Sequence, residues 1–273
     1  MKTVIKYYGW STIEINSCYG NILFDPFVRK YCGVKWFDQK DIGEPDLICV
    51  THGHEEHYLD VPIIARKTGC KVLATKAICN YLKTRNKIPA RQLIPINHFE
   101  QKKINSVEIT AFPWKHRDIN VFASILDAVF KKNTTKLAWA WSSFTKAPFY
   151  AAYTGFYLKL PDNTGILNYN EGFNPKMTEK EINDLGNKFN TSVLLAGMQM
   201  NYEEDVARGA KALNPDIVIL YPLHEHFHKM MGATMSPWEN FYESVKSVLP
   251  DKTVVIAGPG TAIDANTGTV QPF

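Results

Sequence analysis

The sequence of 273 residues predicts a layered α/β fold, and three observations point to it. Strand-like runs alternate with helix-like segments over 46–84 and again over 155–257, which is typical of a sheet with helices packed on it. The run 46–51 is apolar at its centre without interruption, as expected of a strand covered on both faces. The chain is also long enough to bury a core, and 45% of its residues are hydrophobic.

The individual elements follow from local patterns. Short β-branched or aromatic runs predict strands at 3–8, 12–16 and 22–24, and a turn at Tyr19-Gly20-Asn21 separates the last two. Residues 155–160 and 165–170 flank an Asp-Asn turn and predict a hairpin. Thr178 followed by Glu181 is a capping box, so a helix is expected over 178–187. Further strands are predicted at 71–74, 107–112, 192–196, 216–220 and 253–257, and further helices at 59–68, 77–84, 203–213 and 238–248.

The composition favours one domain, over residues 1–273, in a reducing compartment. Five cysteines without a C-x-x-C pair argue against a disulfide framework or a zinc ribbon and favour a cytoplasmic location. The chain begins without a long apolar core and has no apolar run near the ~18 residues of a spanning helix. Neither a secretory signal nor a membrane span is therefore expected. The net charge of +4, without long basic runs, gives no reason to expect a nucleic-acid partner.

A helical, aromatic-rich insertion is predicted at about 119–150. The spacing of Phe122, Ile125, Leu126, Val129 and Phe130 predicts a helix with one apolar face. Eight aromatic residues follow within 137–157. This segment is interpreted either as core or subunit contact in a homo-oligomer, or as a lid or pocket wall for a substrate with an apolar part. In the second interpretation, Trp139 and Trp141 face the substrate.

Histidine carries the main functional signal. Of eight histidines, three lie within residues 52–57 and three within 224–228. Each cluster comes just after a predicted strand, and the edge where such strands end is where open α/β sheets bind ligands. The two clusters therefore predict one shared site.

The first cluster has the composition of a metal site. His52, His54, Glu56 and His57 form an H-x-H-x-E-H pattern in a loop after a strand. Imidazole and carboxylate together suit zinc, manganese or iron rather than calcium. Since four such groups in six residues are expensive to bury without a cation, we expect one or two divalent metal ions here.

Three single residues follow other strands and extend this prediction. His116 comes after the strand at 107–112, Glu171 after the strand at 165–170, and His224 after the strand at 216–220. Each alone is ordinary, but together they predict that ligands from several strands converge.

The pattern resembles that of the metallo-β-lactamase-fold hydrolases, which carry H-x-H-x-D-H, then a lone His, a lone Asp and a final His. The resemblance covers nearly the whole chain. Its flanking segments look most like the branch that contains ascorbate-6-phosphate lactonase and, more distantly, the zinc phospholipase D that releases N-acylethanolamines. These segments are Tyr8-Gly9-Trp10-Ser11, Leu23-Phe24-Asp25-Pro26 and Tyr221-Pro222-Leu223-His224.

The resemblance implies a four-layer αβ/βα sandwich with a two-metal site at one edge. It implies hydrolysis of an ester, lactone or phosphodiester bond in a small molecule by a metal-activated water, which Glu56 orients or deprotonates. Carried over by position, the first metal would be held by His52, His54 and His116, and the second by Glu56, His57 and His224. Glu171 would bridge the two metals, and Asp25 would support the histidine loop.

Two departures from the family pattern leave open an alternative function. Glu56 and Glu171 stand where the family has aspartate, and each adds one methylene to a carboxylate. Because metal geometry tolerates displacements of only ~0.5 Å, the swaps also fit a metal-binding sensor or scaffold without turnover. Zinc remains the expected metal.

The second cluster also matches a different motif. His224-Glu225-x-x-His228 fits H-E-x-x-H, which would place two zinc ligands one helical turn apart with Glu225 as the base. That mechanism needs a helix, whereas the pattern before the motif predicts a strand with Pro222 near its end. We therefore interpret His226 and His228 as substrate-facing or supporting residues, and His98 as an ordinary loop residue.

Overall fold

The computed structural model describes residues 2–117, 126 and 128–273. Its strands form two sheets, with the order β15-β14-β1-β2-β3-β4-β5-β6 in one and β13-β12-β11-β10-β9-β8-β7 in the other. The strands are β1 (Val4–Gly9), β2 (Thr12–Ser17), β3 (Gly20–Phe24), β4 (Leu47–Cys49), β5 (Lys71–Ala74), β6 (Leu93–Pro95), β7 (Gln101–Ile104), β8 (Val107–Pro113), β9 (Thr154–Lys159), β10 (Gly165–Asn170), β11 (Val193–Met198), β12 (Ile217–Pro222), β13 (Thr253–Ile256), β14 (Thr261–Asp264) and β15 (Val270–Pro272).

Helices cover the outer faces of both sheets. They are α1 (Glu55–Tyr58), α2 (Val61–Thr68), α3 (Lys76–Thr84), α4 (Thr134–Lys146), α5 (Glu179–Lys188), α6 (Glu203–Leu213), α7 (Glu225–Met230) and α8 (Trp238–Val248), with a short 3₁₀ turn at Ala90–Gln92. No described helix is both long and apolar enough to cross a membrane.

The alternation of side chains along the strands builds a sandwich of four layers. In β12, Ile217, Ile219 and Tyr221 face the other sheet, while Val218 and Leu220 pack against helices. β3 does the same in the first sheet, because successive side chains of a strand point to opposite faces. The layers are therefore helix, sheet, sheet and helix, which confirms the predicted αβ/βα sandwich.

Most predicted elements are present, with ends shifted by a few residues. The hairpin is formed by β9 and β10, which pair antiparallel, and the Thr178–Glu181 capping box opens α5. The short strands β6, β7, β14 and β15 were not predicted, since they have partly or wholly exposed faces and little apolar signal.

The predicted insertion is described only in part. Phe122 and Ile125 lie outside the described residues, while Leu126 and residues 128–130 are helical. A second helix of this segment, α4, begins at Thr134, where Asn133 accepts a capping hydrogen bond from the Lys136 N–H.

The ends of strands from both sheets meet along one edge of the sandwich. β4 and β3 run parallel in the first sheet, and β10, β11 and β12 run parallel in the second. The loops after these strands carry the histidine clusters, as predicted from the sequence.

Candidate metal centre

The histidine loop begins directly after the buried strand β4 and leads into the single-turn helix α1. His52 and His57 are fully buried, and the side chain of His54 is 18% exposed. Because the chain turns into α1 at residue 55, the rings at the two ends of the H-x-H-x-E-H pattern come together, with the His52 and His57 centroids 3.9 Å apart. Gly53 is needed for this path, since a Cβ there would lie 2.0 Å from the carbonyl oxygen of Pro148.

Three groups of three potential ligand atoms result: two of them match the two metal sets that the family resemblance implies, and the third, His52, His57 and Glu171, lies between these two. The ligand atoms within each group lie within 4.8 Å of one another. The first group is His52, His54 and His116, and the second is Glu56, His57 and His224. Residues far apart in sequence are thus brought together at the edge where β4, β8 and β12 end.

The carboxylate of Glu171 lies between the two groups. Its Oε1 is 3.0 Å from His57 Nε2 and 3.4 Å from His224 Nε2. Its Oε2 is 3.0 Å from His116 Nε2. One carboxylate therefore faces both groups, as a bridging ligand would, and the longer glutamate side chain reaches this position.

Asp25 supports the loop from behind. Its carboxylate accepts hydrogen bonds from the N–H and the hydroxyl of Thr51, at 2.8 and 2.6 Å, and from the Asn170 amide at 2.8 Å. The ring of His57 donates to it from Nδ1 over 2.9 Å. The carboxylate therefore ties the histidine loop to β10 in the opposite sheet.

These supporting bonds determine which ring nitrogens face the centre. The Thr51 hydroxyl donates to Asp25, so at 3.0 Å it accepts from His52 Nδ1. Similarly, His116 Nδ1 lies 2.7 Å from the Arg117 carbonyl oxygen, which only accepts. With a metal bound, these partners would keep the ring protons of His52, His57 and His116 on Nδ1, so that each Nε2 could act as a ligand atom.

The electrostatics reflect burial and mutual proximity. Burial lowers the pKa of His52 and His54 well below the ordinary 6.5, and neighbouring histidines lower it further. For His57, burial lowers the pKa, but Asp25 and Glu171 outweigh it and raise the pKa to about 10. Burial raises the pKa of Glu171, yet the surrounding histidines hold it well below its ordinary value.

The donor set fits divalent metal ions. His116 Nε2 and Glu171 Oε2 are 3.0 Å apart, so either a proton or a metal cation must lie between these two atoms. Among the described residues, buried His52 Nε2 and Glu56 Oε2 have no hydrogen-bond partner. Imidazole nitrogens and carboxylate oxygens in groups of three are a typical zinc environment.

Three of the twelve described non-glycine residues with positive φ lie at the same edge. Asp25, Asn170 and His224 each adopt positive φ, at 43°, 52° and 53°. Non-glycine residues rarely occupy this region, and such strain is most often found where function over-determines the conformation. Asp25 and His224 contact the ring of His57, and the Asn170 amide donates to Asp25.

The H-E-x-x-H interpretation has to be corrected in its reasoning. A helix does follow His224, since α7 begins at Glu225, so the expectation that this region lacks a helix was wrong. His224 precedes the helix in the left-handed conformation, and its Nε2 lies 2.9 Å from His57 Nε2. His228 Nε2 instead accepts from Arg117, so the two rings do not share a centre.

The other candidate residues lie around the centre rather than in it. Trp139 is buried and packs against Phe227 with ring centroids 5.3 Å apart, whereas Trp141 is 70% exposed on the opposite side of α4. His226 packs on the rings of Trp10 and Trp36. His98 contacts the Thr154 hydroxyl at 3.2 Å in the loop before β7.

Several residues of the site were not predicted. Trp114 and Tyr153 pack on the His52 and His116 rings, with centroids between 4.9 and 5.8 Å apart. Asn170 supports Asp25. Tyr153 belongs to the aromatic segment noted in the sequence, but no local pattern links it to a histidine a hundred residues earlier.

Comparisons with known proteins agree with this geometry. The family model described as "Beta-lactamase superfamily domain" matches residues 20–156. A UPF0173 metal-dependent hydrolase of Rubrobacter xylanophilus is 32% identical over 109 residues, which cover 40% of this chain and 43% of that protein. One of Pyrococcus furiosus is 37% identical over 97 residues, covering 35% of this chain and 40% of that protein. The matches therefore span less than half the length of these curated relatives.

Solved structures show the same fold over the whole chain. Igni18, described as a novel metallo hydrolase from Ignicoccus hospitalis, superposes with a TM-score of 0.68 at 19% identity, covering 100% of this chain and 99% of that one. An isothiocyanate hydrolase from Delia radicum gut bacteria superposes with a TM-score of 0.63 at 12% identity, covering 99% and 98%. The chain thus belongs to the beta-lactamase superfamily and has the metallo-β-lactamase fold.

Proposed function

We propose that this protein is a metal-dependent hydrolase that cleaves an ester, lactone or phosphodiester bond in a small molecule. The observation that carries the proposal is the convergence of Nε2 atoms of His52, His57 and His116 on the buried Glu171 carboxylate, at 3.8, 3.0 and 3.0 Å, a donor set that suits a divalent cation. The names of the curated relatives, all metal-dependent hydrolases, support it.

Zinc is the metal that the donor set favours, with manganese or iron as the alternatives. When bound, such an ion acts as a Lewis acid and lowers the pKa of a bound water toward ~7. This proposal includes the assignment of the metal ligands. They are His52, His54 and His116 for the first metal, Glu56, His57 and His224 for the second, and Glu171 for both. The single domain, the cytoplasmic location and a lactonase-like substrate also stay predictions.

Glu56 is the residue proposed to handle the proton. Its side chain is 4% exposed, and its Oε2 has no partner within the described ranges. The Ser11 hydroxyl donates to its backbone carbonyl over 3.2 Å, which restrains the residue at the start of α1. A carboxylate restrained in this way orients an attacking water or accepts its proton without acting as a nucleophile.

Metal analysis combined with activity measurements tests the proposal. The protein is purified without added metal, analysed by mass spectrometry of the metals, and assayed on p-nitrophenyl esters, lactones and a bis-aryl phosphodiester. His54→Ala is expected to lower both metal content and turnover, the latter about a hundredfold or more. His98→Ala, a loop histidine outside the cluster, serves as the matched control.

Other outcomes would support the alternatives. Stoichiometric metal without turnover on any substrate would favour a metal-binding sensor or scaffold, for which Glu56 and Glu171 in place of aspartate are the specific observation. Loss of zinc in His228→Ala but not in His52→Ala would favour the H-E-x-x-H interpretation. A protein that binds no metal at all would contradict both.

A further inference from the structure

Arg117 follows His116 and extends beside the metal centre, where two uncharged side chains hold its guanidinium group. Its Nε donates to Oε1 of Gln199 over 3.2 Å. Its Nη2 donates to Nε2 of His228 over 2.7 Å. The residue is half-buried, so part of the guanidinium group reaches solvent.

The first partner ties Arg117 to the centre. Gln199 is fully buried after β11, and its Nε2 donates to the backbone carbonyl of Glu171 over 3.0 Å. Movement of the guanidinium group is therefore coupled to the loop that carries the proposed bridging carboxylate. The contact is a positioning contact, since an amide adds no charge.

The second partner explains His228, which the metal groups do not use. An arginine only donates hydrogen bonds, so His228 Nε2 accepts and its proton is on Nδ1. The ring is therefore neutral, in agreement with a pKa that burial and Arg117 lower well below the ordinary value. The ring centroid of His228 lies 6.5 Å from that of His224, which places this pair next to the second group of ligands.

The positive charge of Arg117 lacks a carboxylate partner in the described part of the chain. No acidic side chain of residues 2–117, 126 or 128–273 lies within ion-pair distance of its guanidinium group. Its charge is close enough to His54 to lower the pKa of that ring. A guanidinium held by two neutral partners, with Nη1 unengaged by any described side chain, is well suited to bind a carboxylate or phosphate, often with two parallel hydrogen bonds.

We propose that Arg117 binds an oxyanion group of the substrate, so that the protein acts on small molecules that carry a carboxylate or phosphate beside the bond that is cleaved. This inference rests on the proposed hydrolase function and narrows its substrate class. Gln199 and His228 are positioning residues that hold the guanidinium group toward the metal centre.

Anion binding tests the inference without an assay of turnover. Zinc-loaded wild type and Arg117→Met are titrated with inorganic phosphate and, separately, with acetate by isothermal titration calorimetry. The dissociation constant of at least one anion is expected to rise at least about tenfold in Arg117→Met, because a charge-assisted hydrogen bond is lost. Arg117→Lys should give an intermediate value, since it keeps the charge without the planar fork.

Arg91→Met is the matched control, because Arg91 is exposed in the 3₁₀ turn before β6. Metal content is measured for every variant so that loss of zinc is not taken for loss of the anion site. A change for phosphate alone or acetate alone supports the inference and identifies the oxyanion. The inference is overturned if, at equal metal content, Arg117→Met binds phosphate and acetate with the same dissociation constants as wild type and Arg91→Met.

Kinetics on a matched pair of esters, one anionic and one neutral, provide a second measurement. Arg117→Met should raise KM for the anionic ester at least about tenfold more than it raises KM for the neutral ester. His228→Gln, which keeps an acceptor, should retain more of the anion preference than His228→Leu. If wild type hydrolyses none of the esters, lactones and phosphodiesters tested, the proposed function fails, whereas the phosphate and acetate titrations still decide the role of Arg117.

Discussion

The edge with the histidine cluster and the segment at 126–150 differ in what holds their side chains. At the histidine edge, nearly every ligand residue is buried, and Asp25 alone accepts four hydrogen bonds. In the aromatic segment, large apolar side chains face outward: of ten exposed large hydrophobic residues described, seven lie there. They are Leu126, Val129, Phe130, Trp141, Phe144, Phe149 and Tyr150.

The two regions meet at α4 and the loop after it. Trp139 and Ala140 face inward and join the cluster of Trp10, Phe27 and Phe227. The Pro148 carbonyl lies against Gly53 in the histidine loop. One face of the segment is thus a wall beside the metal centre. The prediction that the other face serves in a homo-oligomer stays a prediction.

At the histidine edge, several hydrogen bonds fix the position of the side chains. In the aromatic segment, the described contacts are mainly apolar packing on one face of α4. Substitutions at the histidine edge should therefore affect stability and metal binding together. In the aromatic segment, the loss of stability caused by a substitution should depend on the face of α4 on which the residue lies.

Asp25→Ala is expected to have the largest effect. It leaves the Thr51 N–H, the Asn170 amide and the His57 ring without their buried acceptor, at about 1–3 kcal/mol each. We expect the free energy of unfolding to fall by about 3 kcal/mol or more and metal content to fall with it. Denaturant unfolding and metal analysis measure both. Asp25→Asn keeps the shape and should be less damaging; equal stability of Asp25→Ala and wild type would contradict the bracing role.

Trp139→Ala and Trp141→Ala compare the two faces of α4. Trp139 is 9% exposed, and its removal from the packed cluster should cost about 3 kcal/mol, near the low end for a buried tryptophan. Trp141 is 70% exposed, and its removal should change stability by no more than about 0.5 kcal/mol. Thermal and denaturant unfolding of the two variants provide the measurement. Similar losses in both would show that the outer face is also packed.

Gly53→Ala tests the contact between the two regions. The new Cβ would lie 2.0 Å from the Pro148 carbonyl oxygen, so one backbone must move, at a cost of about 1–3 kcal/mol. Metal affinity should weaken as well, because His52 and His54 flank the substitution. Gly258→Ala is the control, since its Cβ meets no atom within 4 Å. If Gly53→Ala is as stable as wild type and binds metal with unchanged affinity, the contact with Pro148 does not couple the aromatic segment to the metal centre.

The pH dependence of the metal-free protein should show the smallest effect per residue. Below pH 6.5 the unfolded chain protonates His52 and His54 while the folded chain resists it, because their pKa is lowered by burial. The free energy of unfolding should then fall by up to about 1.4 kcal/mol per pH unit for each ring.

The contribution of His57 has the opposite sign. Its pKa is raised to about 10 in the folded protein, so its stabilisation is complete below pH 6.5 and is lost as the pH rises toward 10. Denaturant unfolding from pH 4.5 to 9, with a chelator present, measures both limbs. His54→Gln should flatten the acid limb; an unchanged slope would show that this ring is not buried in its neutral form.

The fold was largely predictable because its signals are local. Continuous apolar runs such as that at 46–51 predict strands covered on both faces, and the Thr178 capping box predicts the start of α5. The short strands at the chain's end and β7 were missed, because a half-exposed strand of three or four residues has no distinct period. The helix α7 was missed because it spans only six residues after a proline-terminated strand.

The residues of the candidate site differed in how far the sequence predicted their roles. The four imidazole and carboxylate groups within 52–57 predict a metal site by themselves, because such a density of these groups needs a cation. Glu171 was predicted from its place after a strand, but its bridging role and the supporting role of Asp25 came only from resemblance to a family. Arg117 and Gln199 gave no signal at all, since one arginine and one glutamine in a chain of this composition are ordinary.

The sequence by itself determined the alternation of strands and helices, the residues that end the strands, and the histidine and glutamate side chains available as ligands. These follow from periodicity and side-chain chemistry, which act over a few residues. The tertiary structure decided which nitrogen of each ring faces the centre, that one glutamate carboxylate lies between two groups of ligands, and that His228 holds Arg117. Those features depend on distances between residues up to about two hundred positions apart, and only the packing of two sheets sets such distances.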